Sequence, residues 1–276
     1  MENFKQHLTT NGLSKSTITN HIRNMNKLNK IFDDNLQQFS LQKIIETLKQ
    51  SNLSLSQQLT ISSTLSKYFE YKNIERKPLQ SYIFEINNSL KQSYLKRNKQ
   101  LDFPYTKNDL YKELNKFYEN QDYKKYIVSY LIIKYNVRNE DVNLKITTHK
   151  KYTNKEENFL IIRKNSILYI RNNYKTSKYY GTIVKEIKHT NFIKSVNEYY
   201  NQNSNDIENN VLPLFITFYN STKQIKKLTP FNLKESDIMK IILQSNNSLS
   251  QSIEISQNRG SGIHTLNNNY NLKNHK

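Results

Sequence analysis

The sequence predicts a mainly α-helical protein with one small antiparallel β-sheet, organised as two domains. Three observations carry that expectation. Apolar residues recur at helical spacing behind serines and threonines through most of the first 135 residues. Three short β-type runs lie close together between residues 159 and 184. A basic run, Lys96-Arg97-Asn98-Lys99, falls between two stretches of different texture and marks a boundary, giving domains 1–98 and 99–276.

Residues 2–32 are expected to form a helix, a break at Asn11-Gly12 and a second helix, with Ser14 or Ser16 as its cap and Ile18, Ile22, Met25, Leu28 and Phe32 on its apolar side. A second pair follows. Leu41, Ile44, Ile45 and Leu48 define one helix, and Leu59, Ile61, Leu65, Tyr68 and Phe69 another, capped by Ser56. Lys77-Pro78 is expected to punctuate the end of this unit, before one more helical pattern over 80–98. The exposed faces carry Lys15, Arg23 and Lys27, a pattern suited to phosphates and equally to an ordinary solvated face.

Thr106 is placed to cap a helix in which Asp109 occupies the third position, near the positive end of the helix dipole. Tyr123–Tyr135 forms a long apolar helix that leads into Arg138. The β-type runs are Phe159–Arg163, Ile167–Arg171 and Thr182–Val184. Between the last two, residues 172–181 form a basic, aromatic connection containing Lys175 and Lys178. Helices are expected again over 189–201, from Leu233 to Gln244 and from Ser250 to Gln257, with Val211–Phe218 as an apolar stretch around Pro213.

With 42 Lys and Arg against 23 Asp and Glu, the 276-residue chain has a formal charge of +19. Its sequence pI is about 9.7. A polyanion is the expected partner, bound with an affinity that falls with salt. The high Asn, Lys, Ile and Tyr content resembles translation of an AT-rich genome, so Asn runs are not taken as signals. Absence of cysteine excludes disulfides, thiolate nucleophiles and Cys-ligated zinc. The six histidines show no HxxxH or HExxH spacing, so no metal site is expected. No stretch approaches the roughly 18–20 apolar residues of a membrane span, and no signal peptide follows Met1, so an intracellular location is expected. Four glycines, none in a phosphate loop, argue against a nucleotide-dependent enzyme.

The segment Tyr135-Asn136-Val137-Arg138-Asn139-Glu140-Asp141-Val142 is an apolar helix end followed by a charged elbow. On residue types alone Arg138 pairs with Asp141 at the surface. In context, the elbow is similar to the first-arginine motif of the tyrosine recombinase (phage integrase) family. The segment Tyr174-Lys175-Thr176-Ser177-Lys178-Tyr179-Tyr180-Gly181 resembles that family's lysine-bearing β-hairpin, and Tyr270 near the C-terminus resembles its nucleophile. The likeness spans nearly the whole chain and is nearest to divergent members from large DNA viruses and mobile elements.

That resemblance implies a SAM-like core-binding domain before an α+β catalytic domain. It also implies site-specific cutting and rejoining of double-stranded DNA through a phosphotyrosyl bond, by a homo-oligomer, a tetramer on paired sites, with no metal and no nucleotide cofactor. Arg138 stabilises charge on the phosphate, Lys175 protonates the departing sugar oxygen and Tyr270 attacks. Lys15, Arg23, Lys27, Lys96, Arg97 and Lys178 are the implied DNA contacts. The chain departs from the family's His-x-x-Arg motif, for which Asp237 and Lys240 are the expected counterparts, with Arg259 and His264 as replacement donors. Two alternatives stay open: a DNA-binding protein with the chemistry lost, and a type IB topoisomerase.

Overall fold

The computed structural model describes residues 1–33, 35–99, 103–149, 154–218, 221–245, 248–262 and 266, with the side chains of 95 and 97–99 outside the description. The chain forms two compact units, Met1–Gln100 and Leu101–Lys276.

The first unit is helical among its described residues. Helices α1 (Glu2–Thr10), α2 (Lys15–Ile31), α3 (Leu41–Gln50), α4 (Leu55–Tyr71) and α5 (Lys77–Lys99) enclose a core of Phe4, Leu8, Met25, Leu28, Ile44, Leu48, Ile61, Leu65, Leu79, Tyr82 and Ile86. Gly12, at φ +70, ends α1 with a left-handed turn. Ser14 is the residue that caps α2. The cap of α4 is Ser54 rather than Ser56: its hydroxyl accepts from the Gln57 N–H, and the Gln57 amide oxygen accepts from the Ser54 N–H at 2.9 Å. Lys77-Pro78 opens α5 instead of closing the unit, because a proline in the first turn forgoes an N–H that has no intrahelical partner anyway.

In the second unit α6 (Lys107–Glu119) carries the expected capping box, with Asp109 Oδ2 accepting from the Thr106 N–H at 2.9 Å. Helix α7 (Tyr123–Tyr135) is buried on nearly every side, from Tyr126 through Ile133, and packs against helices on several faces. It ends at Asn136, which adopts the left-handed conformation at φ 54. A single 3₁₀ turn, Asn139–Val142, then feeds β1 (Leu144–Thr147).

The sheet has five strands in the order β4-β3-β2-β1-β5, adding β2 (Asn158–Ile162), β3 (Ile167–Arg171), β4 (Ile183–Ile187) and β5 (Val211–Pro213). It is mixed, not antiparallel throughout: β1 pairs with β2 in parallel, Leu144 opposite Asn158 and Thr147 opposite Ile161, while the other three pairings are antiparallel. Side-chain alternation reports that a strand is half-buried, but carries no sign of its direction, so the parallel pair was not visible from the pattern. The 172–181 connection includes one helical turn, α8 (Ser177–Tyr180), and α9 (Thr190–Gln202), α10 (Ser221–Lys226), α11 (Glu235–Gln244) and α12 (Leu249–Arg259) complete the unit. No helix among the described residues is long and apolar enough to cross a membrane.

Candidate active site

Three segments meet in the second unit: the elbow after α7, the connection after β3 and the end of α12. Two buried arginine–acid pairs hold them.

The first pair is Arg171 with Asp141. Asp141 is fully buried and Arg171 is 2% exposed, with Nη2 at 2.5 Å from Oδ2. The same carboxylate oxygen accepts the Arg138 backbone N–H at 3.0 Å. Asp141 therefore fixes the backbone of Arg138 rather than forming the expected surface pair with its side chain. Arg171 Nη1 donates to the Asn258 carbonyl, which ties β3 to the last turn of α12. Its guanidinium also lies 4.7 Å from the centroid of the Tyr174 ring.

The second pair is Arg259 with Glu235. Arg259 is 2% exposed; its Nη1 lies 2.7 Å from Glu235 Oε1 and donates to the Asn136 carbonyl at 3.1 Å. Arg259, the expected replacement donor, is thus engaged inside the fold in this arrangement. That guanidinium is enclosed and joins α12, the start of α11 and the end of α7.

The connection after β3 is rooted by Asn158. Its side-chain oxygen accepts the N–H groups of Asn172 and Asn173 at 3.0 and 2.9 Å, and its Nδ2 donates to the Asn173 carbonyl at 2.9 Å. Tyr174 then turns inward, 4% exposed, and its hydroxyl donates to the Gly181 carbonyl at 2.8 Å. Thr176 donates to the Gly260 carbonyl. Gly260 is at φ +57, and a Cβ there would lie 2.6 Å from Tyr174 Cε2, so only glycine lets α12 close on this ring.

Burial pushes the Tyr174 phenol up and Arg171 pulls it down, with smaller influences from Asp141, Tyr180 and Arg138. Asp141, which holds the Arg138 N–H, pairs with Arg171, whose guanidinium faces the Tyr174 ring, so the elbow lies beside the residue that precedes Lys175. Arg138 is half-exposed, and Lys175 and Lys178 are exposed. The structure brings Arg138, the Lys175 connection and the α12 end together.

Lys240 lies on α11, the helix that Glu235 opens. It is half-buried; five residues beyond Glu235, it lies about 7.5 Å further along the axis and about 140° round it. Asp237, two residues from Glu235, is rotated about 200° from it. Lys234, which the sequence reading passed over, is the exposed N-cap of α11 and directly precedes Glu235. Its signal is faint, one lysine among many, and becomes visible only once Glu235 is seen to be paired. His264 and Tyr270 lie outside the described residues. Lys15, Arg23, Lys27 and Lys96 are exposed on the first unit, and the Arg97 side chain lies outside the description. Arg23 donates to Asn20 Oδ1 at 2.8 Å.

No family model matches the chain, and no curated protein matches it. A solved structure is similar. The crystal structure of XerA recombinase aligns over 98% of this chain and 92% of its own, with 12% identity and a TM-score of 0.36. A likeness of that strength supports no functional assignment. Chemically, the cluster neutralises Asp141 and Glu235 with buried arginines, and the segments it joins also carry Arg138, Lys175, Lys178 and Lys234.

Proposed function

We propose that the chain cuts and rejoins double-stranded DNA by transesterification. One observation carries this reading: the Arg138 elbow, the connection bearing Lys175 and the end of α12, ten residues ahead of Tyr270, are docked on one another through Arg171 and Gly260. On this reading the Tyr270 phenol gives its proton to water and attacks phosphorus. The new tyrosine–phosphate bond replaces the bond to the sugar oxygen, which leaves with a proton from Lys175. Arg138 stabilises the charge that develops on the non-bridging oxygens, and Lys234 supplies the second cation in place of Lys240. The bond energy stays in the phosphotyrosyl linkage, so rejoining needs no cofactor. The active form is a homo-oligomer on paired sites, with the cationic face of α2 contributing DNA contacts.

The test is to incubate the protein with a randomised pool of nicked duplexes and recover covalent adducts under denaturing conditions. The expected result is an adduct that disappears in Tyr270→Phe and falls at least tenfold in Arg138→Ala. An absence of adduct from the parent protein overturns the enzymatic reading.

A second reading is favoured by the burial of Arg259: with that guanidinium held by Glu235, one strong phosphate donor is withdrawn and the protein binds DNA without cutting it. Salt-dependent DNA binding without adduct, unchanged in Tyr270→Phe, is the outcome that supports it.

A further inference from the structure

The helical turn α8 presents two aromatic rings to solvent. Tyr179 is 86% exposed and Tyr180 55% exposed. Among the described residues of the second unit no other tyrosine is exposed; Tyr123, Tyr126, Tyr130, Tyr169, Tyr174 and Tyr200 are all buried. Tyr105, Tyr111, Tyr118, Tyr135 and Tyr199 are half-buried, so among the described residues of this unit α8 is where tyrosine rings stand open.

That place is built rather than slack. The Tyr174 hydroxyl spans the turn to the Gly181 carbonyl, Thr176 is tied to Gly260, and the Thr182 hydroxyl bonds Asn172 Oδ1 at 2.9 Å. Within the turn, the Tyr179 N–H donates to the Thr176 carbonyl at 2.9 Å and the Gly181 N–H to the Ser177 carbonyl at 2.8 Å. A turn closed at both ends can hold rings in the open without ordering a loop on binding. Residues 171–185 contain no acid, and Lys175, Lys178 and Lys185 are exposed along them. Glu186, the next acid, is engaged by Lys188 at 3.3 Å and by the Ser166 hydroxyl at 2.9 Å. A partner of this surface has negative charge and flat apolar faces within one residue's reach of each other.

We infer that α8 is a base-stacking platform: Tyr179 and Tyr180 stack on a nucleobase that has left the duplex stack beside the phosphate held at Arg138. The inference rests on the DNA reading above and adds the class of site it prefers, DNA with an unpaired or displaced base at a gap, nick or melted step. Every base offers a π-face, so the platform selects distortion and not sequence. In an intact duplex the faces are already stacked and the rings have only groove edges to touch.

The chain contains no tryptophan, so Tyr179→Trp creates a single reporter in the full-length protein. It is titrated with three DNAs of common sequence: a duplex with a one-nucleotide gap, a single strand and a continuous duplex. Binding is followed independently by the anisotropy of a label on the DNA. Emission is expected to be quenched by the gapped and single-stranded forms and much less by the continuous duplex. Affinity for the first two should fall about 5- to 150-fold in Tyr179→Ala, the range that base–aromatic stacking commands, and be kept in Tyr179→Phe, with affinity for continuous duplex within about twofold. Bound DNA with unchanged emission, or an equal loss on all three DNAs, overturns the inference while leaving the DNA reading intact. Failure of the parent protein to bind any of the three overturns both. A change of emission with protein concentration alone assigns the rings to a contact between copies and likewise overturns it.

Discussion

Gly260→Ala is the sharpest probe of how the site is held. The backbone there sits at φ +57, where an L-residue is disfavoured by about 1–2 kcal/mol. The added methyl would also lie 2.6 Å from Tyr174 Cε2 and 2.9 Å from Thr176 Oγ1. Tyr174 cannot yield cheaply, because its hydroxyl is bonded to Gly181 and its face lies against Arg171. Overpacking of this kind adds about 1–3 kcal/mol, for a total of about 2–5 kcal/mol. Gly12→Ala is the internal control: Gly12 is at φ +70 with nothing within 4 Å, so it should cost only the backbone share. Urea unfolding of the full chain measures both, and hydrogen exchange should place the damage of Gly260→Ala in residues 172–181 and 249–262. In a double-mutant cycle, Tyr174→Ala should relieve Gly260→Ala by about 1–3 kcal/mol. The reasoning is refuted if the two substitutions add without coupling, or if Gly260→Ala costs no more than Gly12→Ala.

Arg259→Met leaves Glu235 buried without its partner and should cost about 3–5 kcal/mol, of which the double variant Arg259→Met/Glu235→Leu recovers most; urea midpoints decide, and an equally unstable double variant refutes the pairing argument. Replacing Lys15, Arg23 and Lys27 together with alanine should lower the slope of log K against log salt by about 2.7 on duplex DNA; an unchanged slope removes the α2 face from the DNA surface. His21, bonded to Thr64 Oγ1 at 2.9 Å, is held below its ordinary pKa by burial and then by Lys67. The unfolded chain therefore takes up the proton first, so the stabilisation is present above about pH 6.5 and is lost as pH falls through the lower folded value. His21→Gln should flatten the dependence of the first unit's unfolding midpoint between about pH 7.5 and pH 5.5, and equal slopes in both proteins count against it.

Helix α7 was legible because its apolar residues, dense from Tyr126 to Ile133, set it locally; its stop at Asn136, which enters the left-handed region, was not read from the sequence. The elbow carrying Arg138 followed from the same reading, as did the exposed connection with Lys175. Strands β1 and β5 were read only as apolar stretches. One has four residues and the other three, including Pro213, too few for alternation to register. The polar residues that hold the site were missed for a different reason. Asn158 looked like compositional background in an Asn-rich chain, and Arg171 looked like the wet end of a strand. Their partners lie 15 and 30 residues away, at Asn173 and Asp141, and buried pairing over such separations leaves no periodic trace. Lys240 was read as the counterpart of the arginine in the His-x-x-Arg motif, and Lys234 drew no attention because the pairing of its neighbour Glu235 with Arg259 depends on residues 24 positions apart.

Why two buried ion pairs should be used at this junction follows from what each arginine does besides neutralising an acid. A well-packed apolar pair of the same volume would stabilise the fold at least as well, since burying opposite charges recovers little more than their desolvation. An apolar contact, however, tolerates sliding. Arg171 reaches from Asp141 to the Asn258 carbonyl, and Arg259 from Glu235 to the Asn136 carbonyl, so each guanidinium sets direction as well as distance between elements far apart in the chain. Asp141 also accepts the Arg138 N–H, which makes the backbone position of the half-exposed Arg138 depend on the buried pair. The electrostatic result matters as much. With both acids paired inside, the half-exposed Arg138 and the exposed Lys175 and Lys234 are the cations on these three segments, and Glu140 is the exposed acid on the elbow. The buried arginines thus position the Arg138 backbone, and on the proposed reading a site fixed in this way needs no reorganisation when negative charge develops.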